Sequence, residues 1–247
     1  MVRSLKSLSL FSLGGIDCEI GKVKDFYFED DSWIIRYCIV DTGDWLPGKK
    51  VLISVQSLIS PDWENEILET NLSLGQIKSS PDIDTDVPVS RQQELKLYKH
   101  FPWRIYWGPG MGSKGSLMPL TESVKAALAN DSEFHEVEPN PHLRSSDKLI
   151  GYGIQALDGD AGKLTDFVVD TDRWEVDYLI VDVGSWLSAE KVLLPVNCVN
   201  GINWATSTIH VSISKEAVLN SPDFNDVEPV NRINETTFLD YLGRISS

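Results

Sequence analysis

Gly21 to Val55 reads GKVKDFYFEDDSWIIRYCIVDTGDWLPGKKVLISV, and Gly162 to Val196 reads GKLTDFVVDTDRWEVDYLIVDVGSWLSAEKVLLPV. The two stretches align without a gap at an offset of 162 − 21 = 141 residues. From Gly21 to Leu58, 17 of 38 positions are identical to their partners. Ordinary amino-acid frequencies would give about two. The chain is therefore an internal duplication, and any reading of its fold has to be made twice.

The same offset carries outward. It pairs Asp17 with Asp158, Trp63 with Trp204, Ser80-Pro81-Asp82 with Ser221-Pro222-Asp223, and Pro88-Val89 with Pro229-Val230. This divides the 247 residues into a first repeat (1–90), a helix and connector (91–147), a second repeat (148–230) and a C-terminal helix (231–247). Six of the eight Trp fall at paired positions: Trp33 and Trp174, Trp45 and Trp186, Trp63 and Trp204. A large aromatic reused at one place in both copies points to the same core position in the same fold.

Within a repeat the pattern is that of short strands. Glu175-Val176-Asp177-Tyr178-Leu179-Ile180-Val181 begins by alternating polar and apolar residues, as a strand with one buried face does. Ile34 to Val40 is its counterpart. Further strands are expected at Val23 to Phe28 and Leu164 to Val169, at Lys50 to Val55 and Lys191 to Val196, and at Leu68 to Leu72 and Ile209 to Ile213. Turn chemistry separates them, as at Glu29-Asp30-Asp31, Pro47-Gly48 and Val183-Gly184-Ser185. Ser73 with Gln76 forms a capping box for a short helix, and Ser214 caps its partner. Ser90 and Asn231 start helices over Arg91 to Lys99 and Arg232 to Leu242, and one more is expected at Thr121 to Asn130 in the connector. The fold class is mainly β with short helices, as two tandem small barrels.

Composition narrows the function. With 42% hydrophobic residues the chain can build packed cores. A net charge of −15 opposes a nucleic-acid partner, which needs clustered Lys and Arg to neutralise phosphates. Cys18, Cys38 and Cys198 form no C-x-x-C pair, and an odd number fits a reducing, cytoplasmic compartment. No apolar run reaches the length of a membrane span, and MVRSLKSLSLFSL at the start reads as a first strand, not a signal peptide.

Motifs for chemistry are missing from the sequence. The His at 100, 135, 142 and 210 have no zinc-type spacing to one another or to Cys, so no metal is expected. Asp158-Gly159-Asp160 lacks the closing acid of a calcium loop and reads as a turn. Gly14-Gly15 and Gly108 to Gly112 match neither the P-loop nor the dinucleotide fingerprint, and there is no nucleophile elbow. The retained pairs Asp25 and Asp166, Asp41 and Asp182 suit Asx turns or hydrogen bonds to backbone at strand ends. Trp103, Tyr106 and Trp107 lie outside the repeat beside Pro and Gly; exposed aromatics of this kind anchor interfaces.

Gly162-Lys163, Asp166-Phe167, Asp172-Arg173-Trp174, Tyr178 to Asp182, Gly184 to Leu187 and Lys191 to Pro195 together resemble the PRC-barrel domain. The lead-in His142-Leu143-Arg144-Ser145-Ser146 is similar to stand-alone bacterial members. Counting both copies, the resemblance covers about two-thirds of the chain. The family includes the cytoplasmic part of the photosynthetic reaction-centre H subunit and the C-terminal domain of a ribosome maturation factor. What the resemblance implies is a protein-docking module without a catalytic motif. The sequence has neither the membrane helix of the former nor the N-terminal RNA-processing domain of the latter.

The expected function is that of a non-enzymatic, cofactor-free adaptor: a cytoplasmic protein that docks on a protein partner, as at the periphery of a membrane or other multi-subunit complex. Trp103, Tyr106 and Trp107 are its candidate partner-binding residues. Self-association into a homo-oligomer is a further expectation, since the open edges of small barrels are commonly buried by symmetric pairing. The alternative is a small-molecule or enzymatic pocket between the barrels.

Overall fold

The structure, a computed structural model, describes residues 2–43, 50–81, 89–107, 119, 121, 143–184 and 190–224. The expected helices at Thr121 to Asn130, apart from Thr121 itself, and Arg232 to Leu242, with Trp45, Trp186, Pro47-Gly48 and Gly108 to Gly112, lie outside the described residues.

The chain is β-rich and builds two separate sheets of seven described strands each. The elements run β1 (Val2–Ser4), α1 (Leu5–Leu8), β2 (Ser12–Gly14), β3 (Glu19–Glu29), β4 (Ile35–Asp41), β5 (Lys50–Ser54), β6 (Leu58–Asp62), β7 (Ile67–Thr70), α2 (Leu74–Lys78) and α3 (Arg91–His100). They continue with β8 (Leu143–Ser145), α4 (Ser146–Leu149), β9 (Gly153–Ala156), β10 (Gly159–Asp170), β11 (Glu175–Asp182), β12 (Lys191–Pro195), β13 (Val199–Asn203), β14 (Thr208–Val211) and α5 (Lys215–Leu219).

The first sheet has the order β5-β4-β3-β2-β7-β6 and the second β12-β11-β10-β9-β14-β13. Each is organised by one long strand. β10 pairs along one edge with β11; its other edge takes β9 near its start and β1 near its end. β3 does the same with β4 on one edge and with β2 and β8 on the other. Register shifts at Val23/Asp25 and Tyr27/Phe28 recur 141 residues on, at Leu164/Asp166 and Val168/Val169. Such bulges bend the strand and let it serve several neighbours. Gly21 and Gly162 sit where the neighbouring strand crosses closest: a Cβ at either would collide with the carbonyl oxygen of Asp41 or Asp182. Gly162 also has φ +127°, which only glycine adopts without strain.

The strand positions expected from sequence are found within a few residues, but the burial pattern is fuller than one-sided alternation. Tyr37 to Val40 and Leu179 to Val181 are buried throughout, because both faces of β4 and β11 are covered. In the second sheet Val168, Tyr178, Ile180 and Leu193 form one such cluster, with Phe224 packed against it. The corresponding cover on the first sheet is α3 and the segment after it. Ser73 and Ser90 each make a complete capping box, with Gln76 and Gln93, and Ser214 caps the Ala217 N–H.

Trp33 and Trp174 are buried, and both have left-handed backbone, at φ 60° and 52°. That conformation costs a non-glycine residue roughly 1–2 kcal/mol. In the first repeat the turn is closed by Trp33 N–H to Glu29 O at 2.8 Å and Glu29 N–H to Ile34 O at 3.0 Å, and the Trp33 ring stacks on Phe28 at 5.3 Å. Burying so large a ring offsets the backbone strain. Trp63 and Trp204 are half-buried lids instead, edge-on to the equivalent residues Phe11 and Tyr152.

Sequence repeats and structural units divide the chain differently. Contacts group Met1–Ser7 with Ser146–Ser247, and Leu8–Ser145 by itself. β1 belongs to the first repeat yet pairs with β10 of the second sheet; β8 opens the second repeat yet pairs with β3 of the first sheet. The registers are equivalent: Val2↔Asp170 and Leu143↔Glu29, each offset by 141. The repeat therefore extends back to Val2-Arg3-Ser4, matched to Leu143-Arg144-Ser145, and the two copies exchange their first strands.

Candidate functional site

Helix α3 sets one face, formed by Glu94, Leu97 and Tyr98 and continued by Phe101, against the first sheet, at the i, i+3, i+4, i+7 spacing of an amphipathic helix. Pro102 ends the helix, and the chain returns through Trp103 to Trp107. Gln56 holds this return, donating to Arg104 O and accepting from Arg104 N–H, both at 2.8 Å.

Trp103, Tyr106 and Trp107 are buried here, at 4%, 7% and 7% exposure. They are core of the first unit and not an exposed anchor; aromatic side chains next to Pro and Gly looked like surface because the sheet face they cover is invisible in sequence. Trp103 stacks on Phe101 at 4.3 Å, packs edge-on to Tyr98, and donates from Nε1 to Ser57 Oγ at 2.5 Å.

A polar network runs through the aromatic layer. Glu94, fully buried, accepts at Oε1 from Tyr37 Oη at 2.7 Å and Tyr106 Oη at 2.5 Å, and at Oε2 from Arg91 Nη1 at 2.9 Å. The guanidinium of Arg91 also lies 4.7 Å from the centre of the Trp107 ring, and that of Arg36 4.0 Å over Tyr106. Arg36 forks onto Glu29 Oε2 at 2.9 and 2.6 Å. Burial pushes the Glu94 carboxyl above the usual carboxylate range, while Arg91 and the two hydroxyls pull it partway back. Burial, together with the nearby Glu94 charge, holds the Tyr37, Tyr98 and Tyr106 hydroxyls above their ordinary pKa. The network ties α3 and its return segment to β4. Burial also pushes the Cys38 thiol up to about 12, so it is protonated at neutral pH.

At the position equivalent to Glu29 the second repeat has Asp170, but the cation has moved. Arg173, in the turn, reaches Asp170 at 2.8 Å, Glu175 at 3.1 Å and Asp177 at 2.8 Å. The first repeat has Ser32 at the turn position and Arg36 at the strand position. The two copies solve one electrostatic problem with opposite placements, which makes their surfaces distinct there.

The retained aspartates have separate tasks. Asp41 and Asp182 make Asx turns, accepting from Gly43 N–H at 3.0 Å and Gly184 N–H at 2.9 Å. Asp25 and Asp166 accept the following backbone N–H at 2.7 Å and also the serine of the exchanged strand: Ser145 Oγ at 2.6 Å and Ser4 Oγ at 2.5 Å.

Asp17 and Asp158 hold two hairpin tips. Each accepts from the first N–H of a helix, Leu74 at 2.9 Å and Lys215 at 2.5 Å. The neighbouring Ile16 and Leu157 donate backbone N–H to Leu72 O at 3.1 Å and Ile213 O at 3.0 Å. With backbone fixed on both sides, their side chains stand 68% and 75% exposed. Scattered exposed apolar residues are ordinary. Of the large exposed hydrophobics among the described residues, Leu10, Ile16, Ile59, Ile150, Leu157 and Leu219, only Ile16 and Leu157 stand 141 apart. The pairing of Asp17 with Asp158 in the sequence was one residue away from locating them.

Among the described residues no group of three metal-ligating side chains comes together, and no helix is long and apolar enough to cross a membrane. Residues 142–218, from the lead-in of the second repeat to α5, match the PRC-barrel domain. A comparison with curated proteins gives no match.

Proposed function

We propose that this chain is a non-enzymatic docking protein in which both repeats are PRC-barrel modules and each presents one fixed apolar knob, Ile16 and Leu157, to a protein partner. The observation that carries the reading is the knob pair itself: equivalent, exposed, and held on hydrogen-bonded tips. PRC-barrel domains often take part in protein interactions, and residues 142–218 match that domain. Full burial of an isoleucine or leucine contributes roughly 1.5–3 kcal/mol, so two rigid knobs on one chain supply a bivalent grip without ordering a loop. The strongly acidic balance of the chain favours a partner with a basic rim around apolar pockets. Cytoplasmic placement at the edge of a multi-subunit complex belongs to the same proposal.

The test is affinity purification of the tagged chain from its native cells, from soluble and detergent-solubilised membrane fractions separately, comparing wild type with Ile16→Asp/Leu157→Asp. A stoichiometric partner retained by the wild type and lost from the double variant supports docking through the knobs. A partner retained by both, or none with either, sinks it.

A further inference from the structure

We propose that the edge of β10 at Val168–Asp170, with Asp166 beside it, is an acceptor site for the first strand of a second copy of this chain, so that two chains can trade Met1–Ser7. The inference stands apart from the docking reading and rests on the strand exchange.

Two observations make the site specific. The chain contains two donors of the form apolar-Arg-Ser, Val2-Arg3-Ser4 and Leu143-Arg144-Ser145, and both are used outside their own repeat, in equivalent registers. Recognition is also more than backbone pairing. Asp166 takes the donor's Ser4 hydroxyl on Oδ2 at 2.5 Å and the Lys6 N–H on Oδ1 at 3.1 Å. Asp25 takes Ser145 at 2.6 Å, and Arg144 pairs with Asp30 at 2.9 Å. Asp25 and Asp166 are each only 9% exposed, so an empty acceptor would leave a buried carboxylate without its hydroxyl partner.

Nothing in these contacts depends on which polypeptide supplies the strand. An element exchanged between identical protomers makes the same bonds in the new place, and tethering decides which form wins. Here the tether is short: four residues of α1 lead from β1 into the chain segment that belongs to the other unit, with Leu5 and Leu8 both buried. Short hinges of this kind favour exchange between chains when folding occurs at high concentration.

The test uses full-length chains refolded together from urea, one tagged and one untagged, with capture through the tag after native size-exclusion chromatography. Ser4→Ala spoils the donor and leaves the acceptor; Asp166→Ala spoils the acceptor and leaves the donor. Refolded as a mixture, they regain one intact serine–aspartate pair only by exchange between chains. Captured mixed dimer should therefore exceed that of either variant with itself by about tenfold or more. Equal capture in all combinations, or a dimer that persists in a chain carrying both substitutions, overturns the proposal. As a second measurement independent of refolding, a fluorescent peptide of residues 1–9 should bind the folded Ser4→Ala chain saturably and about tenfold more tightly than the same peptide with Ser4→Ala. No difference between the peptides also overturns it.

Discussion

Alkaline pH should loosen the unit holding Tyr37, Tyr98 and Tyr106 far more steeply than surface titration would. All three hydroxyls are buried and held above their ordinary pKa by burial and the Glu94 charge. The unfolded chain ionises them near pH 10. Below that value both states keep the three protons and the network's contribution is constant. Above it the unfolded chain sheds protons that the folded one retains, and stability falls by about 1.4 kcal/mol per proton per pH unit. With the unfolded value near 10, each tyrosine loses about 1.4 kcal/mol by pH 11, so the three together lose roughly 4 kcal/mol, a large part of a typical domain's stability. The assay is urea unfolding at half-unit steps from about pH 9 to 11, followed by tryptophan fluorescence and tyrosinate absorbance. In a Cys38→Ala background, which removes the thiol that burial holds at about 12 and that would shed its proton on unfolding in the same range, Tyr37→Phe should reduce the loss by about a third, because one of three titrating protons is gone. A flat stability across this range, or tyrosinate absorbance that rises ahead of unfolding, refutes the reasoning.

Two further outcomes follow from the same geometry. Glu94→Ala leaves the Arg91 cation and two tyrosine hydroxyls without their acceptor and should cost about 3–5 kcal/mol in chemical denaturation, whereas Glu94→Gln, which keeps an oxygen for the hydroxyls, should cost less than half of that. Gly162→Ala combines an unfavourable φ with a collision on the Asp182 carbonyl; it should lower stability by at least about 2 kcal/mol, read as a drop of several degrees in the melting temperature.

Much of the architecture was legible in the sequence because the duplication lets each element be read twice. Tyr37-Cys38-Ile39-Val40 and Tyr178-Leu179-Ile180-Val181 mark the same strand, and the capping boxes at Ser73 and Ser90 place helix starts through chemistry local to four residues. What could not be read was anything decided by distant partners. Val2-Arg3-Ser4 is too short for a period, and its pairing with β10 spans more than 160 residues, so the exchange left no local trace. Trp103, Tyr106 and Trp107 carry the composition of an interface and of a core equally well; only the α3 face and Tyr37 opposite them decide for core. Ile16 and Leu157 were hidden for the opposite reason, since an apolar residue in a short hairpin reads as buried until the backbone bonds that turn it outward are known.

The exchanged strands also set an order of events as the chain leaves the ribosome. β3 and β4, joined by a five-residue turn, can pair as soon as they emerge, but the Tyr27–Glu29 edge of β3 has no β8 to receive until residue 145 has been made. β1 waits longer still, because its place on β10 exists only after Asp170. Among the described strand pairs, pairing at that separation carries the largest loop-closure cost and closes after the local hairpins. In this protein an early strand closes a late edge.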